Sequence, residues 1–162
     1  MRINTIMRHA LTLTVVLFFA SLSGRAQSTP LEAARMLIAA FNANDGVKAM
    51  ALTSPSGIAI VDEFAPHLWT GKSAFQVWLS GYDKDAKARG ITNPFDTMEA
   101  PLVNSINGDV AYLVCPITYT YKQKGVAMRE PGRLAMVLHK EGAAWRFTAF
   151  TWAGTVPKVA AR

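Results

Sequence analysis

Asn107–Phe147, NGDVAYLVCPITYTYKQKGVAMREPGRLAMVLHKEGAAWRF, is the stretch that decides the fold. Three dipeptides, Asn107-Gly108, Lys124-Gly125 and Glu141-Gly142, punctuate long alternating runs. Pairs of this kind fit two-residue hairpin turns, whose backbone requires positive φ. They predict four antiparallel strands, near 95–106, 110–123, 126–140 and 144–153. Pro131-Gly132 predicts a bulge or edge feature in the third, because proline cannot donate to a ladder. The tail after Gly154 is expected to be loose.

The half before Asn93-Pro94 reads differently. Thr29-Pro30-Leu31-Glu32 is a helix start, with Thr29 and Glu32 as a capping box and Pro30 at the first helical position. Leu31, Ala34, Leu37, Ile38 and Phe41 then recur at helical spacing. Asn44-Asp45-Gly46 ends this helix, and a short second one is expected from Val47 to Leu52, before Ser54-Pro55. Ile58–Asp62 is brief and β-branched, which predicts a strand. A loop with Pro66 leads to a third helix near Lys72–Arg89, where Phe75, Trp78, Leu79 and Tyr82 share a face. Gly81 is a possible bend and Gly90 the stop. Helices followed by a meander make an α+β domain. Internal repeats and low-complexity segments are absent from the sequence.

The leader speaks to location. Arg2 and Arg8 precede an apolar run, Ala10–Leu22, and Gly24-Arg25-Ala26 offers small residues at a cleavage site. This is the layout of a signal peptide over residues 1–26. The run of 13 residues is short of the roughly 20 that a spanning helix needs. No cysteine follows it, so neither a lipid anchor nor a stable membrane anchor is expected. Met7 is an alternative start. The expectation is export, to the periplasm or the medium, of one domain over 27–162 with its core at about 30–155. Without Arg2, Arg8 and Arg25, fourteen basic residues face eleven acidic ones, scattered along the chain. Nucleic-acid binding would need a clustered basic stripe. Cys115 stands alone, so it forms no internal disulfide, and the absence of CxxC or a His/Cys cluster gives no zinc site.

The order of elements resembles the nuclear transport factor 2-like superfamily. Asn44-Asp45-Gly46-Val47, Thr70-Gly71-Lys72 and Trp145-Arg146-Phe147 carry the resemblance, at matching order and spacing. It implies a cone: three N-terminal helices packed in a strongly curved, mainly antiparallel sheet, with an apolar pocket at the open end. Members include ketosteroid isomerase, scytalone dehydratase and SnoaL-like polyketide cyclases, so the fold alone does not assign a function.

An ungapped alignment on Thr70-Gly71 places the isomerase's proton-transferring aspartate on Asp62. Its oxyanion-hole tyrosine falls on Ile38 and its acid near Ala135, neither of which donates a hydrogen bond. Loss of one such donor typically costs on the order of 10²–10³ in rate, which disfavours steroid isomerase chemistry. Asp62 also stands out without the alignment, following Ile58 and Ile60 on an apolar strand face. Desolvation there would raise its pKa toward the range of a general base. A solvent-rim position or an ion pair is the bland alternative.

Strand alternation puts Leu113, Cys115, Ile117, Tyr119 and Tyr121 on one face and Arg133, Ala135, Val137 and His139 on another. Thr148, Phe150 and Trp152 match pocket positions in the resemblance. The expected catalytic candidates are Asp62 and His67. The expected ligand-binding set is Trp69, Trp78, Cys115, Tyr119, Tyr121, Arg133, Phe150 and Trp152. Asp62, Glu63 and His67 lie in a proline-containing segment unsuited to presenting metal ligands, and no cofactor is expected. No G-x-S-x-G elbow supports a hydrolase triad.

Three readings compete: a binding protein for a small, partly apolar molecule; an isomerase, lyase or cyclase using Asp62 or His67; and a dimerising domain with a vestigial pocket. The first is preferred. If Asp62 pairs with Arg133 it is a polar anchor, and if it is isolated its raised pKa favours proton transfer. Leu134, Met136 and Leu138 would then form an apolar outer sheet face for a homodimer.

Overall fold

The computed structural model describes residues 29–160; the expected signal peptide and its cleavage site at Ala26 lie outside them. The chain runs α1 (Pro30–Asn42), α2 (Gly46–Met50), β1 (Ile58–Val61), β2 (Leu68–Gly71), α3 (Ala74–Arg89), β3 (Ile91–Met98), β4 (Val103–Asn107), β5 (Val110–Gln123), β6 (Val126–Glu141), β7 (Ala144–Gly154) and β8 (Lys158–Val159). This is the expected α+β arrangement, with the helices laid in one large curved sheet. Among the described residues no helix is long and apolar enough to cross a membrane.

The capping box forms as read: the Glu32 N–H donates to Thr29 Oγ1 at 3.1 Å, and the Thr29 N–H donates to the Glu32 carboxylate at 3.2 Å. The helix buries Ala33, Ala34, Leu37 and Ile38. α3 runs unbroken through Gly81, where the missing Cβ leaves room for the Phe64 ring. It contributes Phe75 and Trp78 to the core.

The sheet order is β2-β1-β7-β6-β5-β3, with β4 also on β5 and β8 on β6. All pairs are antiparallel except β1 with β7. The central hairpin turns at Lys124-Gly125, both with positive φ (50° and 86°), which sets Gln123 opposite Val126. From there the β5–β6 ladder is continuous to Val110 opposite His139.

Three expectations change, and one pair of alternatives is decided. The strand read as 95–106 is two, β3 and β4, separated by a break at 99–102 that contains Pro101. β2 was not expected; it forms because the loop through Pro66 turns the chain back onto β1. The tail is not loose: β8 pairs with Met128 and Arg129, and Thr155 donates to the Pro131 carbonyl. Of the bulge or edge feature expected at Pro131-Gly132, the edge position holds and there is no bulge. Gly132 is the last β6 residue paired to β7, so Pro131 falls where that ladder has ended.

The irregularity sits instead between Val137 and Leu138, which face Ala149 and Phe147. Thr148 is the extra residue, so it leaves the inward series expected for it, and its hydroxyl donates to the Val137 carbonyl at 3.3 Å. The bulge lets Trp145 and Phe147 before it, and Phe150 after it, all turn inward.

The faces of β6 are the reverse of the expectation. Leu134, Met136 and Leu138 are buried, whereas Arg133 and His139 are exposed and Ala135 and Val137 half-buried. Directly paired residues share a face, and Cys115, Leu113 and Ala111 pair with Leu134, Met136 and Leu138. The same parity carries Glu130 inward to full burial.

Candidate functional site

Between α1, α3 and the concave face of the sheet lies a cavity of about 410 Å³. Aromatic rings form much of its wall: Phe41, Phe64, Trp78, Tyr82, Tyr119 and Trp152. Trp78 is the hub, meeting Phe150 edge-on at 5.3 Å and Phe41 at 5.7 Å between centroids.

Asp62 follows the last residue of β1 and lines this cavity. The indole N–H of Trp78 donates to its Oδ2 at 2.8 Å, and the Glu63 N–H donates to Oδ1 at 2.6 Å. Burial raises its pKa above the ordinary value of 3.8, and these two hydrogen bonds oppose the shift only in part. Among the described residues Asp62 forms no ion pair.

Other polar groups reach the cavity from α1, α3, β3 and β5. The hydroxyls of Tyr82 and Tyr119 share a hydrogen bond of 2.6 Å. Burial pushes both phenols up, and the Tyr82 hydroxyl pushes Tyr119 further. Asp96 is raised to about 6 by burial alone. Its backbone is clamped by Asn42, which accepts from the Asp96 N–H at 2.7 Å and donates to its carbonyl at 2.9 Å. Arg89, near the end of α3, reaches Asp85 at 3.3 Å and Glu63 at 3.9 Å.

Of the expected site residues, Asp62, Trp78, Tyr119, Phe150 and Trp152 line the cavity together. Five do not. His67 is exposed, at a positive φ of 72° in the β1–β2 turn, with its Nδ1 3.2 Å from the Asp62 carbonyl. It shapes the turn and does not line the cavity. Trp69 is buried against Phe64 and does not itself line the cavity. Cys115 is a small core residue. Tyr121 is buried beyond the cavity, near Arg89 and Glu130. Arg133 lies on the outer face, so it cannot pair with Asp62 inside. Of the two alignment positions lacking a donor, Ile38 lines the cavity and Ala135 points outward.

The sequence reading placed Tyr82 on the Trp78 face of α3 but not in the site. It missed Asn42, Asp96, Arg89 and Glu130. Both carboxyl oxygens of Glu130 are buried without a hydrogen-bond partner. The Glu63 carboxylate and Trp152 indole converge with Glu130 at Gly154, where a Cβ would meet all three. Burial and then the Glu63 charge push Glu130 up to about 7, with Arg89 opposing. Hairpin parity could have found Glu130; nothing local to Asp96 or Asn42 marks them.

Comparison with known proteins gives the family. No curated protein sequence matches the chain. Several solved structures share its fold at low identity. A ketosteroid isomerase-like protein from Erwinia carotovora atroseptica is 16% identical, with a TM-score of 0.63 over 83% of this chain and 99% of that one. A scytalone dehydratase candidate from Novosphingobium aromaticivorans is 10% identical, with a TM-score of 0.64 over 82% and 85%. A hexachlorocyclohexane dehydrochlorinase is 6% identical, with a TM-score of 0.64 over 80% and 87%. The sequence pattern of the SnoaL-like domain matches residues 31–150, most of the chain. The chain therefore belongs to the SnoaL-like domain family, within the nuclear transport factor 2-like superfamily.

Proposed function

We propose that this protein is exported and binds a small, partly apolar molecule in the cone. One observation carries the reading: an aromatic cavity of about 410 Å³ holds a cation-free carboxyl, Asp62, fixed by Trp78. Ligand sites are commonly 300–1,000 Å³, mostly apolar, with a few placed polar groups. Asp62→Asn removes the charge and one acceptor at a cost to stability of about 1 kcal/mol. It should weaken ligand retention by tenfold or more. Native mass spectrometry of protein from its own host, wild type against variant, reads this directly. Equal retention by a folded variant would remove Asp62 from the site.

A second reading is favoured by the isolation of Asp62. With Arg133 outside, only the Trp78 and Glu63 hydrogen bonds oppose the burial that raises its pKa, and among the described residues no cation pairs with it. A carboxylate so placed suits proton abstraction in an isomerase or lyase. The fold relatives bear the names of a dehydratase, an isomerase-like protein and a dehydrochlorinase, so they favour no single reaction. In this reading activity rises with pH as Asp62 loses its proton, on a limb above the ordinary carboxylate range. Turnover abolished in Asp62→Asn with binding intact would establish it.

Export is tested by Edman sequencing of the mature protein, which should start at or close to Gln27; an intact leader on cytosolic protein contradicts it. A homodimer through the outer sheet face is retained with different residues. Val103, Val114, Ala135, Thr151, Val61 and Leu68 form one row across six strands, exposed or half-buried. Light scattering at micromolar concentration should give twice the monomer mass, and Ala135→Glu should halve it. A wild-type monomer refutes the dimer.

A further inference from the structure

Where β7 ends, three polar side chains from separate elements meet. A Cβ placed on Gly154 would stand 2.8 Å from Glu63 Oε2 and 2.7 Å from Trp152 Nε1, and closer still to Glu130 Oε1. The two carboxyl groups therefore lie within the ~4–6 Å over which like charges disfavour one another. Glu130 is fully buried, and neither of its oxygens has a hydrogen-bond partner. An ionised carboxyl left in that state is costly, whereas a protonated one becomes a donor. Glu63 Oε2 is an acceptor facing the same point. The other Glu63 oxygen lies 3.9 Å from Arg89 Nη1, which favours the charge on Glu63 and leaves the proton to Glu130.

Glu130 is faced by Glu63 after β1, by Arg89 with its partner Asp85 on α3, by the Tyr121 hydroxyl on β5 and by the Trp152 indole on β7. Arg89 is divided between Asp85 and Glu63, so it opposes the gathering of negative charge only in part.

The meeting point bridges a gap in the sheet. The β1–β7 ladder ends at Val61 opposite Thr151, and the β6–β7 ladder at Gly132 opposite Gly154. Among the described residues no ladder joins the segment after β1 to β6. Trp152 fills the space between them. Its ring lies against Gly132, where a Cβ would stand 2.5 Å from Cη2, and its indole nitrogen faces the carboxyls. Glu63 and Trp152 both line the cavity.

We propose that Glu63 and Glu130 share one proton, which latches the segment after β1 to β6 across the end of β7 and holds the Trp152 wall of the cavity in place. When that proton leaves to water, the pair passes from one negative charge to two, its hydrogen bond is lost and the carboxyls part. Burial and the Glu63 charge set this release near pH 7, so the wall is fixed in acid and loosened in base. The latch acts on the wall whatever the cavity holds.

Carbon-13 NMR of the mature protein, labelled at its glutamate carboxyls, tests the shared proton, with Glu63→Gln and Glu130→Gln assigning the two signals. Both carbons should step together near pH 7, and Glu63→Gln should lower the Glu130 midpoint by about one pH unit or more. A Glu63 carbon without that step, or a Glu130 midpoint that Glu63→Gln leaves in place, overturns the sharing. Spin labels at Ala65→Cys and Arg129→Cys, both exposed positions, test the latch by electron double resonance. The distance distribution should widen between pH 5.5 and pH 8.5 in the otherwise wild-type protein. It should stay narrow in Glu130→Gln, whose amide donates to Glu63 at either pH. A distribution unchanged by pH, or one that widens equally in Glu130→Gln, overturns the latch. Should Glu130→Gln fail to fold by circular dichroism, Glu63→Gln supplies the comparison, because its amide donates to an ionised Glu130 and the distribution should again stay narrow.

Discussion

Met136→Ala will lower the stability of the fold by about 2–5 kcal/mol, whereas Arg133→Ala and His139→Ala will change it by less than about 0.5 kcal/mol. Met136 is 1% exposed, between Leu113 on β5 and Phe150 on β7. Truncation removes apolar contacts and leaves a cavity that close-packed neighbours fill only in part. Urea unfolding midpoints at constant slope measure all three variants. The same experiment tests which way β6 faces. If Met136 lay on an outer dimer surface, its truncation would give a loss that depends on protein concentration, through dissociation. A buried Met136 gives a loss independent of concentration. A destabilising Arg133→Ala paired with a neutral Met136→Ala would invert the face assignment.

Glu130→Gln will raise stability at pH 8 by about 1–2 kcal/mol and will flatten part of the pH dependence. Glu130 is fully buried and its carboxyl is pushed from 4.5 to about 7 by burial and by Glu63. The folded protein thus binds this proton more tightly than the unfolded chain. Stability is fullest below about 4.5, falls as pH rises toward about 7, and levels off above it. Asp62 and Asp96 are raised as well and slope the same way. The difference between wild type and Glu130→Gln isolates the Glu130 contribution, which a pair of denaturant titrations at pH 5 and pH 8 provides. The gap between the two proteins should widen from pH 5 to pH 8; a gap that stays constant would place the proton elsewhere.

Periodicity and turn chemistry made the secondary structure legible. Thr29 and Glu32 marked the first helix, and Lys124-Gly125 marked the central hairpin, because caps and tight turns are satisfied within a few residues. The β6 error also had its remedy in the sequence. Once Tyr119 and Cys115 are placed inward, a two-residue turn at 124–125 puts Leu134 and Glu130 inward with them. The Pro131-Gly132 dipeptide obscured that parity, since a bulge expected there would have reversed it. The real bulge, at Thr148, has no local signature, because it arises from how β7 must bend to bring both Phe147 and Phe150 inside.

The sequence by itself determined the α+β class, the family-like order of elements, and Asp62, Trp78, Tyr119, Phe150 and Trp152 as cavity residues. Local hydrogen bonding, helical spacing and strand alternation suffice for the class, Trp78 and Tyr119, whereas Phe150 and Trp152 follow from the family resemblance and Asp62 from the alignment together with its apolar strand face. Tertiary structure alone decided that Arg133 and His67 stay outside and that Asn42 and Asp96 meet across α1 and β3. It also decided that Glu63, Glu130 and Trp152 converge at Gly154. These pairings join residues far apart in the chain, and the charge state of each carboxyl depends on what surrounds it after folding. Desolvation and partner geometry are properties of the packed cone, and no spacing of residues along the chain encodes them.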